Sequence, residues 1–405
     1  MNISLGLQCQ KTVLSLLLVV GLVGHNRTMI SAVTADDPDQ TSKHQQPLQW
    51  SFSSSIDGYY NEFATKYNFE VQRRWAKGNS TFTEGLFCYR SNTTSARSFF
   101  VESCGLWGQS KVNVYSTPLD QALPVANVSQ KEDGNDSINL TLVRTLPLPG
   151  SIFGEGIAYL PLFQEMWQLS YKSQIFLTFR LGNRTDTTIQ PGSEGPSLQY
   201  RSKIPYPSGY FAEGWGLTAR QVEDQNGQPV QLLYMTDGTE TIHVLRISET
   251  KNDNDDTTKH VQVVQQLRIL DDKGKPLSGL NDLTWDANSG ALWVCVYGTT
   301  CVAQVIVPFV NVSENSHAVS QHDGFVDGFL DLRMLQPPTD ALHMNVLNGV
   351  AHRADENLLV VTGKLWDNIY ELNVTSSTSK GQWLPPRLRS SFQQSCRNSI
   401  RDWYW

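Results

Sequence analysis

Five short stretches recur along the chain, and their spacing limits what it can fold into more than any other feature. They are Phe82-Thr83-Glu84-Gly85-Leu86, Phe153-Gly154-Glu155-Gly156-Ile157, Gly214-Trp215-Gly216-Leu217, Leu280-Asn281-Asp282-Leu283 and Leu347-Asn348-Gly349-Val350. Each sets one polar or aromatic residue before a Gly or Asp, followed by an aliphatic residue. The key positions Glu84, Glu155, Trp215, Asn281 and Asn348 are 71, 60, 66 and 67 residues apart. A repeat of that order points to an array or propeller rather than one mixed sheet. In a propeller the start of each innermost strand faces the central axis. Two carboxyls, an indole and two carboxamides would then converge as one ring, which is the make-up of a site.

The residues between these stretches fit the same plan. After each key stretch come two short apolar runs separated by turn residues, such as Leu232-Leu233-Tyr234-Met235 then Ile242-His243-Val244-Leu245. Short strands bounded by Gly, Asn and Asp indicate all-β repeats. A fourth strand is expected at 138–143, 198–204, 261–267 and 329–335 in the first four repeats, and the fifth has none. The alternating stretch at 67–75, in turn, has no repeat of its own. Joining the two closes the ring and leaves only short edges. The expectation is therefore an all-β, five-bladed β-propeller over residues 62–380, closed by the N-terminal strand, after a polar linker at 36–61 and before a polar tail at 381–405.

Other features bear on compartment and partners. Lys11, the apolar run from Val13 to Val23 and the small residues Val33-Thr34-Ala35 have the pattern of a secretory leader over residues 1–35, either cleaved or kept as an anchor. The run is too short to span a bilayer, and no later stretch could do so. Asn79, Asn92, Asn127, Asn135, Asn139, Asn183, Asn311 and Asn373 each begin an Asn-X-Ser/Thr sequon, as expected of a secreted glycoprotein. Outside the leader, Cys88 with Cys104 and Cys301 with Cys396 are candidate bridges, while Cys295 reads equally as a buried free thiol. Charged residues make up 18% of the chain and the net charge is -7, which excludes a nucleic-acid footprint. The histidines form no ligand cluster, so neither metal nor cofactor is expected. A monomer is expected.

The ordered blocks resemble a known family. Phe82–Leu86, Glu102-Ser103-Cys104-Gly105-Leu106-Trp107-Gly108, Phe153–Gly156, Gly214–Leu217, Thr236-Asp237-Gly238-Thr239, Leu347–Val350 and Val361-Thr362-Gly363-Lys364-Leu365-Trp366 resemble the plant-type glutaminyl-peptide cyclotransferases over about residues 67–375. The resemblance implies a five-bladed propeller that converts N-terminal glutamine of peptides and proteins into pyroglutamate and releases ammonia. It implies Glu155 as the central acid, Lys364 and Asn281 as further catalytic residues, and Trp215 as a substrate-lining indole. Three positions depart from the family: Glu84 stands where Gln is usual, and Tyr171 and Tyr297 stand where Trp is usual. Tyr keeps an aromatic wall but adds a hydroxyl and loses area.

The chemistry assigns tasks to these residues. Cyclisation joins the substrate's own α-amine to its side-chain carboxamide carbon, so much of the work is holding the side chain folded back. Phe82, Glu84, Phe153, Tyr171, Trp215 and Tyr297 are expected to line that pocket. One carboxyl, Glu155, can take a proton from the amine and return one to the leaving nitrogen. Asn281 and Lys364 suit the developing oxyanion. Lys364 beside Glu155 would lower its pKa, whereas Glu84 close to Glu155 would push one of the two carboxyls up. Asn348 is expected to be a structural Asx turn. Two other functions compete: a catalytically weakened propeller that binds peptides or glycans, and a calcium-dependent lactonase-type propeller using Asn281, Asp282 and Asn348.

Overall fold

The computed structural model describes residues 65–90, 98–118, 137–182, 196–251, 257–308, 310, 312, 319–337, 345–376 and 396. The expected leader, the linker, the tail apart from Cys396, and sequon residues Asn92, Asn127, Asn135, Asn183 and Asn311 lie outside the described residues. Among the described residues every regular element is a strand.

Strands are numbered along the chain. β1 (Thr65–Ala76) precedes five hairpin-linked groups. The first group is β2 (Thr83–Arg90), β3 (Ser98–Cys104), β4 (Lys111–Ser116) and β6 (Thr141–Pro147); the two-residue β5 (Ile138–Asn139) between β4 and β6 pairs parallel with β1 instead. The second is β7 (Gly154–Leu160), β8 (Glu165–Ser170), β9 (Ile175–Gly182) and β10 (Ser197–Pro205). The third is β11 (Leu217–Glu223), β12 (Pro229–Thr236), β13 (Thr241–Lys251) and β14 (Thr257–Leu270). The fourth is β15 (Leu280–Asp286), β16 (Ala291–Val296), β17 (Cys301–Ile306) and β18 (Ser320–Asp331). The fifth is β19 (Leu347–Arg353), β20 (Leu358–Gly363) and β21 (Asn368–Ser376).

Within each group the strands pair antiparallel in sequence order. β1 lies antiparallel on β21, with Phe69 opposite Val374 and Trp75 opposite Ile369, and so supplies the fifth group's fourth strand. Parallel pairings of β14 with β18 and β18 with β1 join three groups into one thirteen-stranded sheet, beside two four-stranded sheets. The expected fourth strand at 329–335 is instead β18, which begins nine residues earlier at Ser320. Its first four residues, Ser320-Gln321-His322-Asp323, pair with β14 yet are polar and partly or fully solvent-facing, so no apolar run announces them.

The central strands carry consecutive apolar residues because both of their faces are covered. In β12, Leu232 and Tyr234 pack into the core shared with the fourth group, while Leu233 and Met235 pack into the core shared with the second. In β16, Leu292 and Val294 face the third group, and Trp293 and Cys295 face the fifth. Among the described residues there are five such cores, one between each pair of neighbouring groups, the last joining the fifth group back to the first through Trp75, Ile369, Leu86 and Phe100. A fully buried Leu, Val or Phe side chain contributes about 1.5–3 kcal/mol, so these cores dominate what holds neighbouring groups together.

Cys301 and Cys396 form a disulfide with Cα atoms 5.6 Å apart, tying residue 396 to the start of β17. The candidate bridge between Cys88 and Cys104 is absent, and both thiols are free, as is buried Cys295. The register explains why: Cys88 lies opposite Phe100 and Cys104 opposite Thr83, near opposite ends of one ladder. At about 3.3 Å per residue they are roughly 15 Å apart, beyond the ~7 Å Cα limit of a disulfide.

Candidate active site

Four of the five key stretches are β-bulges. The β2–β3 register skips Glu84, and the β7–β8 register skips Glu155 and Gly156. The β15–β16 register skips Asn281 and Asp282, and the β19–β20 register skips Asn348 and Gly349. A bulge frees residues from the ladder and re-aims their side chains. In the fifth stretch, β11 starts just after Trp215 and Gly216. The freed backbone groups bond to the neighbouring stretch instead: the Gly156 amide donates to the Trp215 carbonyl at 2.8 Å, and the Thr236 hydroxyl links the Gly216 amide (2.8 Å) to the Asn281 carbonyl (3.0 Å). The glycine after the key residue is needed for this close approach. A Cβ on Gly156 would sit 2.5 Å from the Leu217 nitrogen, and one on Gly216 would sit 2.3 Å from the Asn281 carbonyl oxygen. Where the pattern has Asp282 instead of Gly, its carboxylate makes the crossing, accepting the Val350 amide at 2.8 Å.

The bulges gather the charged groups. Glu84 and Glu155 are buried and their carboxyls share a hydrogen bond. Lys364 Nζ contacts both oxygens of Glu84, at 2.9 Å and 2.8 Å, and Asn348 Nδ2 donates to Glu84 Oε2 at 2.8 Å. Burial raises the Glu84 carboxyl against the pull of Lys364 and Asn348. Glu155 is pushed well above the usual carboxylate range, first by burial and then by the neighbouring Glu84 carboxylate. Burial works against the Lys364 ammonium, but Glu84 and Glu155 hold it above its ordinary value. The three groups thus form one coupled unit: both carboxyls are raised, and with Lys364 seated on Glu84, Glu155 is the one that holds a proton more readily. Lys364 is aimed by a tight turn. Its amide donates to the Val346 carbonyl at 2.9 Å, and Leu365, at φ 60°, donates to the Thr81 carbonyl at 2.8 Å. A non-glycine residue held there costs about 1–3 kcal/mol.

Aromatic rings surround this unit. Lys364 Nζ lies 4.7 Å from the Phe82 ring centre and 5.7 Å from that of Tyr297, which packs edge-on against Trp215 at 5.4 Å. Phe153 packs against Tyr171 at 5.7 Å. Gly105 lies under both Phe153 and Glu84: an added Cβ would meet their atoms at 2.3 Å and 2.7 Å. Ser103 fixes the stretch from behind, its hydroxyl donating to the Glu155 carbonyl at 2.5 Å while accepting Gln168 Nε2 at 2.7 Å.

Most sequence-derived site residues meet here, with altered partners. Lys364 bonds Glu84 rather than Glu155, so its pull on Glu155 is outweighed by burial and by Glu84. Asn348 is no Asx turn; it holds Glu84 and the Thr83 carbonyl. Its place in the fivefold repeat was the available signal. Asn281 is buried, and its Oδ1 has no partner among the described residues, which leaves its carboxamide with hydrogen-bonding capacity for a ligand. Trp107, outside the sequence-derived site, stands edge-on to Phe153 at 5.6 Å. Among the described residues, no group of three or more His, Cys, Asp or Glu side chains is placed to hold a metal ion, and no helix is long and apolar enough to cross a membrane.

Residues 48–374 match the family described as glutamine cyclotransferase. The chain is 24% identical over 314 residues to a glutaminyl-peptide cyclotransferase of Arabidopsis thaliana, an alignment covering 77% of this chain and 72% of the relative. Among solved structures it is similar to Myxococcus xanthus glutaminyl cyclase, with 18% identity and a TM-score of 0.49, covering 78% of this chain and all of that one.

Proposed function

This chain belongs to the glutamine cyclotransferase family, and from that premise we propose that it is a glutaminyl-peptide cyclotransferase built as a five-bladed β-propeller with Glu155 at its chemical centre. The propeller reading is supported by five four-stranded groups, five inter-group cores in cyclic order, and key residues at the strand starts. The observation that carries the catalytic reading is the buried Glu84–Glu155 carboxyl pair, neutralised by Lys364 and walled by aromatic rings.

Phe82, Phe153, Tyr171, Trp215 and Tyr297 hold the N-terminal glutamine folded so that its α-amine faces its own carboxamide carbon. The neutral amine attacks, forming the ring C–N bond, and the carbonyl oxygen becomes an oxyanion for which Asn281 Nδ2, not its Oδ1, is the proposed donor. Glu155 gives its proton to the carboxamide nitrogen, the old C–N bond breaks and ammonia leaves. The attacking nitrogen returns one proton to the carboxyl pair, so the pair ends each turnover as it began. Lys364 and Asn348 both hydrogen-bond Glu84, which favours the shared proton on Glu155 over Glu84. Replacing the family's Gln by Glu84 thus makes proton storage a property of two carboxyls.

The test is ammonia release from a short peptide beginning with Gln, above the spontaneous rate, with Glu155→Gln beside it. Release that is lost in the variant is the expected result; no release from folded protein overturns the reading. The chain is also proposed to follow the secretory route, supported by the exposure of sequon residues Asn79, Asn139 and Asn373 and by the Cys301–Cys396 bridge. A mobility shift on treatment of the secreted protein with an N-glycosidase tests this.

A further inference from the structure

One large side chain at the site has no task in the reaction. Among the described residues Trp107 is the most exposed aromatic side chain, at 54%. Exposed aromatic residues are commonly found on loose loops, but this one is fastened. The Gln109 amide donates to the Leu106 carbonyl at 3.0 Å, closing a turn, and the Gly108 amide donates to the Gly150 carbonyl at 3.2 Å. The buried Ser110 hydroxyl donates to the Leu106 carbonyl at 2.8 Å, and accepts the amides of Leu106 and Gly154 at 3.1 Å each. The turn carrying Trp107 is thereby locked to the strand start that carries Phe153 and Glu155. Gly108, at φ 74°, makes the turn possible.

Three rings then run outward in contact. Tyr171 meets Phe153 at 5.7 Å, and Phe153 meets Trp107 at 5.6 Å, with half-exposed Leu106 beside it. Near Tyr171 the surroundings are charged instead: Lys172 lies 4.8 Å from the Tyr171 ring centre and pairs at 3.3 Å with Glu213, which accepts Trp215 Nε1 at 3.1 Å. If the first substrate residue lies against Phe153, the second advances about 3.3–3.6 Å along an extended chain. Trp107, one ring further out, lies within reach of its side chain.

We propose that Trp107 and Leu106 form an outer subsite for the side chain of the residue that follows the N-terminal glutamine, selecting aromatic and large aliphatic side chains. The proposal rests on the cyclotransferase reading and extends it to the peptide's second position. Burying one such side chain on the indole gives about a tenfold preference over alanine.

The experiment compares kcat/KM for Gln-Phe, Gln-Leu, Gln-Ala and Gln-Asp peptides in the wild type, Trp107→Ala and Trp107→Tyr. Calorimetry of the product dipeptides pyroglutamyl-Phe and pyroglutamyl-Ala runs on the same proteins. The expected result is about a tenfold Phe-over-Ala ratio in the wild type, collapsing toward one in Trp107→Ala and partly restored in Trp107→Tyr. A loss equal for all peptides, with the ratio intact, means that Trp107 only supports Phe153, and overturns the subsite. If no peptide turns over but pyroglutamyl-Phe binds more tightly than pyroglutamyl-Ala in a Trp107-dependent way, the subsite stands and the cyclisation reading falls. Equal affinities and equal rates overturn the subsite whatever the turnover.

Discussion

Two buried glutamates, Glu102 on β3 and Glu155 on β7, have surroundings that give them opposite characters. Glu102 on β3 meets Lys77 Nζ at 2.8 Å, the hydroxyls of Thr81 and Thr83 at 2.6 Å each, Asn113 Nδ2 at 3.2 Å and the Tyr115 hydroxyl at 3.0 Å. Burial alone would raise its pKa, but Lys77 and these donors bring it down to about 2. Glu155 meets a second carboxyl instead of a ring of donors, and its pKa is pushed up. Donor count, not burial, decides which buried carboxyl is a fixed charge and which is a movable proton. The saturated pair supports the wall behind Glu84 through Thr83; the unsaturated one is left for chemistry.

The contrast is broken most directly at the two carboxyls. Glu155→Gln is expected to lower kcat for ammonia release by about 10²–10⁴-fold, the range of a lost acid–base group. The same variant is expected to unfold at a higher temperature than the wild type at pH 7. A carboxyl whose folded pKa is raised holds its proton only in the native state, so stability is lost as pH climbs from the unfolded value toward the folded one. An unchanged rate would move the proton transfer elsewhere.

Glu102→Gln should do the reverse. It strands the buried Lys77 ammonium and is expected to cost about 3–5 kcal/mol in denaturant unfolding, with kcat of the remaining folded protein little changed. Loss of kcat without loss of stability would make Glu102 part of the catalytic unit.

Glu84→Gln sharpens the comparison. Removing the neighbouring negative charge, and freeing Lys364 to face Glu155, lowers the Glu155 pKa; Asp282 remains as the other acidic group acting on it. The limb of the kcat/KM profile that belongs to Glu155 is expected to move to lower pH. A limb that stays in place belongs to the substrate's α-amine, whose ordinary pKa is about 7.7–8.0.

The smallest effect is on acid stability. Because the folded pKa of Glu102 is depressed, its stabilisation is full above the unfolded value of 4.5 and is lost as pH falls toward about 2. Thermal midpoints across that window should fall less steeply in Glu102→Gln than in the wild type.

Much of this could be read from the residues, because it depends on local pattern. The five key stretches, the succession of short strands and the partnership of the N-terminal strand with the last repeat follow from apolar runs, turn residues and spacing. Glu155 was identifiable because a carboxyl before a glycine recurs at a strand start, at Glu84-Gly85 and Glu155-Gly156, and because its block resembles the family's. Contact between residues far apart in sequence left no such trace. Lys364 and Glu84 are 280 residues apart and Asn348 and Glu84 are 264 apart, and nothing in either stretch says which carboxyl the lysine will choose. The polar start of β18, Ser320–Asp323, was missed for a related reason: it is a strand only because β14 is there to pair with it.

The sequence by itself determined the repeat, the all-β character and the family, since each is written in residues near one another along the chain. The tertiary structure alone decided that Cys88 and Cys104 stay apart, that Lys364 serves Glu84, and that the Glu155 carboxyl is pushed above its ordinary range. Burial and the identity of a side chain's nearest charges set those outcomes, and both are products of how distant strand starts are brought together.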